Sequence, residues 1–371
     1  MRFLFYISGH GFGHATRMAA LAARIQQDFT QSKICVRSLA PKELFGFLPA
    51  SVLDYSRIQL DIGVVERDFF SQDIRETVKE NELFYKALPQ LVSREKEFVA
   101  RNGIDVIVSD IPPLASMIGH ESSVPTVAIS NFTWDYIYEE YTPSQNLFAD
   151  LVSRMREMYS RTSLMLRLPF NHEMKSFPLV RDVPLLVRGI TRTKSQVREK
   201  LGIDRLDDRP IILIALRMKN VLPDEAVLRI TKLSQFRFIV PAGVPQYGAE
   251  NLIALSESWA HWDFPDVLNA ADLVVSKVGY GIVSECIAYH TPLLHVPRFN
   301  FAEYELLKAG LGKYIPSCEI EAQDFLDGNW QDYITLILKQ KDVLSSMPCN
   351  GAEIAVKEIK SLCNYDQRDP P

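Results

Sequence analysis

The first 17 residues, MRFLFYISGHGFGHATR (1–17), place a short apolar run directly before a turn that is rich in glycine and histidine. The apolar side chains after the turn share one face of a helix: Met18, Leu21, Ala22, Ile25 and Phe29. We therefore expect a buried parallel strand, a tight turn and a helix that covers the strand. In doubly wound α/β sheets, such a turn lies at the ligand-binding edge of the sheet.

The same alternation of apolar runs and amphipathic segments continues along the chain and restarts once. The first series of strand-like runs covers residues 3–7, Lys33–Ser38, 105–108 and 126–129. The second series covers residues 210–216, Arg237–Val240, 273–275 and Leu293–Val296. Because enough residues lie between most runs for a crossover helix, the pattern predicts the α/β class, with two parallel-sheet domains.

A proline-bearing stretch without sustained periodicity lies between the two series, with Pro169, Pro178 and Pro184. We interpret it as a linker. The expected division is an N-terminal domain of residues 1–170, a linker of residues 171–188 and a C-terminal domain of residues 189–371 that ends in helices. The alternative is an irregular excursion inside one domain.

The composition is that of a globular protein and argues against several classes of function. Of the 371 residues, 47% are hydrophobic and 23% are charged, and the formal net charge is -5. This mild acidity offers no basic stripe for a phosphate backbone, which argues against nucleic acid as a partner. The five cysteines are odd in number and form no C-x-x-C pair, so neither a disulfide framework nor a zinc site is indicated.

The apolar run at the N-terminus breaks at Gly9, which is too early for the core of a signal peptide. No stretch approaches the roughly 20 apolar residues that cross a bilayer. We therefore expect a cytoplasmic protein. Peripheral membrane contact and the oligomeric state stay open at this point.

The glycine–histidine turn is the first candidate site. Gly9, Gly11 and Gly13 allow a tight turn and let a ligand approach bare backbone. His14 falls in or just before the first helical turn, where the positive end of the helix dipole keeps an imidazole neutral, as a general base requires. The dinucleotide-binding fingerprint is not met, because His14 replaces its third glycine. The alternative is that His10 and His14 are hydrogen-bonded turn side chains without chemistry.

A carboxylate follows another strand-like run. Residues 104–110 are typical of a buried strand, and they end in Asp110. The carboxyl ends of parallel strands share one edge, so Asp110 is a candidate to orient the imidazole of His14, as in catalytic triads. The alternative is that Asp110 caps the next turn. Trp134 and Asp135, in the motif NFTWD after the next strand, are expected at the same rim.

The most specific pattern is SKVGYGIVSE (276–285), in which a strand, a loop with two glycines and a helix follow one another without spare residues. The unpaired N–H groups at the start of such a helix favour a diphosphate. Ser284 and Glu285 fall opposite the apolar arc of this helix, and a carboxylate there can accept hydrogen bonds from two adjacent ribose hydroxyls. The alternative for Glu285 is a surface residue that the helix dipole stabilises.

Four motifs together resemble a known family: GHGFGHATR (9–17), NFTWDYIY (131–138), DVPLLVR (182–188) and SKVGYGIVSE (276–285). They are similar to the glycosyltransferase-like N-terminal half of plant-type L-arabinokinases. More distantly, they resemble nucleotide-sugar glycosyltransferases of the GT-B fold, including the enzyme that adds N-acetylglucosamine to lipid-linked peptidoglycan precursors. The likeness extends over nearly the whole chain, although no P-loop or glycine-rich kinase signature occurs in it.

The resemblance implies two Rossmann-like domains that face a cleft, with the acceptor on the first and a nucleotide-sugar on the second. It implies a base at His14, an orienting carboxylate at Asp110 and an inverting transfer. No D-x-D sequence occurs, so a metal-independent reaction is expected. The donor is expected to be UDP-linked, as a co-substrate with no further cofactor. Donor contacts are expected at Gly11, Gly13, Arg217, Lys219, Phe264, Lys277, Gly279, Tyr280, Gly281, Ile282, Ser284, Glu285 and Arg298. Acceptor contacts are expected at His10, Trp134 and Asp135.

One departure from the family concerns the first turn of the second domain, which is glycine-rich in these relatives. Here LIALRMKN (213–220) contains no glycine. Arg217 and Lys219 either meet the donor phosphates as point charges or belong to a degenerate half-site. Three other functions stay open: a nucleotide-sugar epimerase, whose Gly-Thr-Arg-Pro-Glu start is missing; a non-catalytic sugar-nucleotide sensor; and a glycan phosphorylase, which needs a pyridoxal lysine site and a much longer chain.

Overall fold

A computed structural model describes residues 1–143, 147–216, 222–255, 259, 263–340 and 345–366 of the chain. The N-terminal half folds into a parallel sheet with the strand order β3-β2-β1-β4-β5-β6-β7. In chain order the strands are β1 (Arg2–Ile7), β2 (Lys33–Ser38), β3 (Leu53–Arg57), β4 (Val106–Asp110), β5 (Thr126–Ser130), β6 (Leu164–Arg167) and β7 (Val180–Asp182). The helices of this half are α1 (Phe12–Asp28), α2 (Ile74–Asn102), α3 (Leu114–Glu121), α4 (Trp134–Glu139) and α5 (Leu147–Tyr159).

The C-terminal half repeats this architecture with the strand order β10-β9-β8-β11-β12-β13. Its strands are β8 (Ile211–Ile214), β9 (Arg237–Val240), β10 (Leu252–Ala254), β11 (Leu273–Lys277), β12 (Leu293–Val296) and β13 (Ser317–Glu319). Its helices are α6 (Lys194–Lys200), α7 (Asp224–Ile230), α8 (Phe264–Ala270), α9 (Tyr280–Ala288), α10 (Ala302–Leu311), α11 (Ala322–Asp327), α12 (Gln331–Leu338) and α13 (Gly351–Asp366). The predicted α/β class with two parallel sheets is confirmed.

Alternation along β1 explains why this strand lies inside the first sheet. Phe3 and Phe5 pack into the core that includes α1, whereas Leu4 and Tyr6 pack on the opposite face with residues of α2 and α3. All four side chains are fully buried. A strand that is apolar on both faces must be covered on both faces, which is the usual state of a parallel strand.

Two segments cross the division that the sequence predicted. β7 lies inside the expected linker of residues 171–188, yet it pairs with β6 and forms the edge of the first sheet. α13 follows the second half in the chain but packs on α1. Its residues Val356 and Ile359 are fully buried in the same hydrophobic core as residues of α1. The two halves are therefore joined at their cores. The boundaries at residues 170 and 188 stay a prediction.

No helix in the described ranges is long and apolar enough to cross a membrane.

Candidate active site

Both glycine turns lie where the strand order of a sheet reverses. In the first sheet the order reverses between β1 and β4, and in the second it reverses between β8 and β11. Parallel sheets leave a crevice at such a point, and ligands bind there. The turn at Gly11 leads from β1 to α1, and the turn at Gly279 leads from β11 to α9. The starts of α1 and α9 therefore face one cleft.

The two turns touch at one pair of glycines and leave space beside them. A Cβ atom on Gly281 would lie 3.4 Å from Cα of Gly13 and 3.1 Å from Oγ1 of Thr16. At Gly11 or Gly279 it would meet nothing within 4 Å, and the φ of 80° at Gly11 itself favours glycine. Open space beside two helix N-termini suits an anion, because unpaired N–H groups point into it.

The predicted neighbours His14 and Asp110 are in contact. His14 lies in the first turn of α1, and Asp110 is the last residue of β4. Nδ1 of His14 is 2.8 Å from Oδ1 of Asp110. Asp110 is fully buried and His14 is 5% exposed, with the rings of Phe132 and Trp134 packed against the imidazole. Sequence reasoning thus brought together two residues that are 96 positions apart.

Arg17 is a third member of this cluster that the sequence reasoning did not assign. It lies one helical turn after His14, so both side chains point to the same side of α1. Its Nε donates to Oδ2 of Asp110 and its Nη2 donates to Oδ1 at 2.6 Å. Nη2 also donates to Oγ of Ser130 at 2.8 Å. The sequence does contain a pattern that could have indicated this role: in GHGFGHATR (9–17), Arg17 follows His14 by three residues, which is the spacing of neighbours on one helix face.

These contacts settle which nitrogen of His14 carries the proton. Nη2 of Arg17 is also 3.0 Å from Nδ1 of His14. A terminal guanidinium nitrogen has two hydrogens, and the oxygens of Asp110 and Ser130 accept both of them. Nδ1 of His14 therefore donates to Asp110, and in the neutral ring Nε2 carries the free lone pair.

Arg17 also determines the charge of Asp110. Burial alone would raise the pKa of this carboxyl group, but the positive charge of Arg17, followed by His14, outweighs burial and lowers the pKa below its usual value. The pKa of Arg17 shifts the other way: burial would lower it, and the charge of Asp110 raises it above its usual value. Asp110 is thus an ionised carboxylate between two donors.

His10 lies in an aromatic cluster that joins the two halves. Its ring is 5.3 Å from the ring of Trp134 and 5.8 Å from that of Phe301, which precedes α10. Gly63 allows this placement, because its φ is 65° and a Cβ atom there would lie 2.7 Å from the imidazole of His10. The backbone N–H of Val64 donates to Nδ1 of His10 at 3.4 Å.

The side chains of Trp134 and Asp135, the predicted acceptor residues, have different partners in the structure. Trp134 is fully buried behind His10 and His14, and its Nε1 donates to Asp61 at 2.8 Å. Asp135 points elsewhere on α4, where it accepts hydrogen bonds from Ser176 at 2.6 Å and from Arg156 at 3.4 Å. Adjacent residues on a helix are about 100° apart, so the two side chains meet different neighbours. The acceptor contacts of Trp134 and Asp135 stay a prediction.

The predicted donor residues at the start of α9 have mixed environments. Tyr280 is buried beneath Arg17, whose Cζ is 4.9 Å from the ring centroid. Ser284 is buried and donates to the carbonyl oxygen of Gly281 at 3.1 Å. Ile282 is partly buried against the core. Of the two predicted glycines in this turn, Gly279 has open space where a Cβ atom would lie, whereas Gly281 is in contact with the first half.

Glu285 makes a contact that the sequence did not predict. Its Oε1 accepts from Nε of Arg188 at 2.7 Å, and its Oε2 accepts from Nη2 of the same residue at 3.0 Å. Both residues are nearly fully buried, and the ring of Phe264 is 6.0 Å from Cζ of Arg188. The alternative that Glu285 is a surface residue is therefore wrong. A role in ribose binding stays a prediction, because each carboxylate oxygen retains a second lone pair.

Two predicted donor cations face each other and one carboxylate of the first half. Nζ of Lys277 is 3.5 Å and Nη2 of Arg298 is 3.6 Å from Oε1 of Glu66. Burial lowers the pKa of Lys277, although Glu66 opposes the shift. Burial also lowers the pKa of Arg298, against the charges of Glu303 and Glu66. The cleft thus holds two cations whose charges are only partly compensated.

Arg217 and Lys219 lie outside the described residues. Within the described ranges, no three His, Cys, Asp or Glu side chains are grouped as metal ligands would be. The metal-independent reaction stays a prediction.

The chain is similar to two curated proteins that the motifs resembled. It is 29% identical over 363 residues to L-arabinokinase of Arabidopsis thaliana, which covers 95% of this chain. It is 26% identical over 224 residues, or 58% of this chain, to the UDP-N-acetylglucosamine–N-acetylmuramyl-(pentapeptide) pyrophosphoryl-undecaprenol N-acetylglucosamine transferase of Clavibacter michiganensis. The chain spans only 33% and 57% of the lengths of these two relatives. No protein-family model matches the chain.

Solved structures share the architecture of the whole chain. The calicheamicin glycosyltransferase CalG4 superposes with a TM-score of 0.63 over 100% of both chains, at 14% identity. The fold is GT-B. The UDP-GlcNAc 2-epimerase of Neisseria meningitidis superposes with a TM-score of 0.60 over 97% of this chain and 100% of its own, at 13% identity. The GT-B fold and the resemblance that the motifs indicated are thereby confirmed.

Proposed function

We propose that this chain is a glycosyltransferase that moves a sugar from a nucleoside-diphosphate sugar to an acceptor hydroxyl, with inversion and without a metal ion. One observation carries the proposal: His14, oriented by Asp110, stands at the start of α1, directly across the cleft from the start of α9. A base and an anion-binding helix start are the two parts that such a transfer needs in one place.

The proposal gives a role to each of the three residues His14, Asp110 and Arg17. His14 takes the proton of the acceptor hydroxyl on Nε2, while the acceptor oxygen forms a bond to the anomeric carbon. The bond between that carbon and the diphosphate oxygen breaks, and the nucleoside diphosphate leaves with the electron pair. Asp110 stabilises the imidazolium that forms. Arg17 keeps Asp110 ionised and fixes its orientation.

The second half supplies the donor site in this proposal. The start of α9 at Gly279 and the cations Lys277 and Arg298 stabilise the charge that grows on the leaving diphosphate. Arg188 fixes the carboxylate of Glu285, whose remaining lone pairs accept hydrogen bonds from two ribose hydroxyls. We propose a UDP-linked sugar, because several solved structures of similar fold contain UDP or a UDP-sugar. His10 is placed to contact the acceptor.

A ligand screen followed by a transfer assay tests this function. Uridine, guanosine, thymidine and cytidine diphosphate sugars are compared by thermal shift, since a ligand at many times its dissociation constant raises the melting temperature. The best donor is then incubated with a glycan and small-alcohol panel, and release of nucleoside diphosphate is measured. We expect stabilisation by one nucleobase class and acceptor-dependent release. Absence of stabilisation by all four classes contradicts the proposal.

A non-catalytic sugar-nucleotide-binding protein is the second candidate, and one observation favours it: His14 is only 5% exposed, so a substrate reaches Nε2 only if the cleft widens. Tight donor binding without transfer or hydrolysis identifies this function. Incubation of the donor alone tests the third candidate, an epimerase, because only an epimerase changes the sugar without an acceptor.

A further inference from the structure

A hairpin of the first half reaches across the cleft into the second half. Its ends are paired through the bridge between Glu66 and Gln72. Asp68 stabilises its tip, where Oδ1 accepts from the backbone N–H groups of Phe70 and Ser71 at 2.8 Å each. Asp73, which follows the hairpin directly, caps α2 by accepting from the N–H of Glu76 at 2.9 Å. The hairpin is therefore a unit with its own hydrogen bonds, and it is attached to the start of α2.

Aromatic side chains hold the tip of the hairpin against the second half. The ring of Phe69 stacks on that of Phe325 in α11 at a centroid distance of 5.6 Å and an angle of 8°. Phe70 meets the same ring edge-on at 6.3 Å. The backbone N–H of Phe299 donates to the carbonyl oxygen of Phe70 at 2.9 Å. The tip also contacts a predicted donor cation, because Nζ of Lys277 lies 4.0 Å from the centroid of the Phe69 ring.

Glu66 places its carboxylate between those cations. Its distances to Lys277 and Arg298, 3.5 and 3.6 Å, are those of ion pairs that are longer than normal hydrogen bonds. The side chain of Arg298 is 10% exposed, and its Nε is buried and donates to no acceptor in the described structure. Lys277 and Arg298 thus share the carboxylate of Glu66, and one nitrogen of Arg298 lacks an acceptor, although its Nη2 also lies 3.3 Å from Nε2 of His10. The diphosphate of a nucleotide-sugar carries two negative charges and several acceptor oxygens.

We propose that Glu66 is the internal counter-anion of the donor diphosphate site, and that a bound diphosphate displaces it from Lys277 and Arg298 and releases the hairpin. This inference rests on the proposed function in one respect, namely that Lys277 and Arg298 bind the diphosphate. Glu66 is a positioning residue: it keeps two partly buried cations paired while the site is empty, and the diphosphate replaces it. Release of the hairpin widens the cleft in which His14 lies.

Binding of inorganic pyrophosphate tests the exchange directly. Calorimetry at low salt compares the unchanged chain with Glu66→Gln, which removes the competing charge and keeps the shape. We expect Glu66→Gln to bind pyrophosphate about two- to tenfold more tightly, because two partly exposed ion pairs no longer have to be broken. The difference should shrink as salt is raised. Glu66→Asp keeps the charge and should stay close to the unchanged chain.

A matched control is Glu76→Gln, which makes the same change of net charge on α2, where Glu76 pairs with the exposed Lys79. It should leave pyrophosphate affinity unchanged. A Glu66→Gln variant that binds pyrophosphate no more tightly than Glu76→Gln overturns the inference.

Hydrogen exchange supplies a second test. If Glu66 had a purely structural role, pyrophosphate would not change the exchange rates of the hairpin amides. Pyrophosphate should speed exchange at the amide of Phe299 and across residues 66–72 in the unchanged chain. Unchanged protection with pyrophosphate bound overturns the displacement of the hairpin.

The inference and the proposed function fail in different ways. If pyrophosphate binds and Lys277→Ala abolishes binding, but Glu66→Gln changes nothing, the counter-anion is wrong and the donor site stands. If Glu66→Gln binds more tightly but no sugar is ever transferred, the counter-anion stands and the transferase is wrong. If neither the unchanged chain nor Glu66→Gln binds pyrophosphate, the anion site itself is absent and the inference is overturned with it.

Discussion

Asp110 in the first half and Glu285 in the second half are each buried against an arginine, and the two pairs differ in their other contacts. Asp110 binds Arg17 and also accepts from His14, so its pair is connected to a titratable side chain in the cleft. Glu285 gives both oxygens to Arg188, which comes from the segment between the two sheets. The comparison teaches that the first pair is coupled to a titratable side chain, whereas the second pair fixes the segment between the sheets against the second half. Under the proposed function, the first pair serves proton transfer and the second pair holds the donor site in position.

The largest expected effect separates the two pairs by their chemistry. Replacing His14 with alanine removes the base and leaves the second half intact, so the turnover of sugar transfer should fall by about 10² to 10⁴-fold. Donor affinity, measured by calorimetry, should change little. His120→Ala, an exposed histidine at the end of α3, is the control. Turnover that persists in His14→Ala would remove the distinction between the pairs.

Removing each arginine tests whether both pairs support the fold. Arg17→Met and Arg188→Met each leave a buried carboxylate without its partner, so the free energy of unfolding in urea at pH 7 should fall by about 3–5 kcal/mol in each variant. Only Arg17→Met should also alter the pH profile of turnover, because Arg17 and the proposed base His14 both contact Asp110. Arg181→Met breaks a more exposed pair with Glu358 and should cost about 1 kcal/mol or less. Equal losses in all three variants would contradict the structural role.

Glu285→Gln tests whether the second pair acts in donor binding or in the chemical step. The amide keeps the size of the side chain but loses the charge that Arg188 and the ribose hydroxyls share, so donor affinity should weaken by about tenfold. Turnover at saturating donor should be largely kept. Kinetics that show the reverse, a normal KM for the donor and a low kcat, would move Glu285 into the chemical step.

The smallest expected effect is a pH dependence that belongs to Asp110. Because its pKa is lowered in the folded chain, its pairing stabilises the fold above the usual pKa of an aspartate, about 3.9, and this stability is lost as the pH falls through the lower folded value. The double variant Arg17→Met/Asp110→Asn lacks this contribution. The difference in unfolding free energy between the two proteins should shrink below about pH 4.

Two buried histidines that contact neither Arg17 nor Asp110 cancel in that difference. Burial lowers the pKa of His172 and of His295 to about 4, so both proteins lose stability between about pH 6.5 and 4 as the unfolded chain takes up protons. A difference that grows on acidification would mean that Asp110 is not ionised in the fold.

The sequence predicted those parts of the site that local pattern determines. A strand followed by glycines and a helix predicted both turns, and the rule that parallel strands end at one edge placed Asp110 beside His14. The contacts of Arg188 with Glu285 and of Glu66 with Lys277 join positions far apart in the chain, and no local pattern encodes such pairs. Asp135 and Trp134 have different partners, because a helix turns adjacent side chains to different environments, and local sequence does not show which partner each side chain meets. Arg217 and Lys219 lie outside the described residues, and their role stays a prediction.

The return of α13 onto α1 has a consequence for synthesis of the protein. α1 is translated before the whole second sheet, but α13, which covers one side of it with Val356 and Ile359 at the buried contact, is translated after that sheet. Until then α1 exposes apolar surface that a chaperone can bind. The first sheet can pair its strands in order as they appear, whereas its outer layer is completed only after the second sheet has been made.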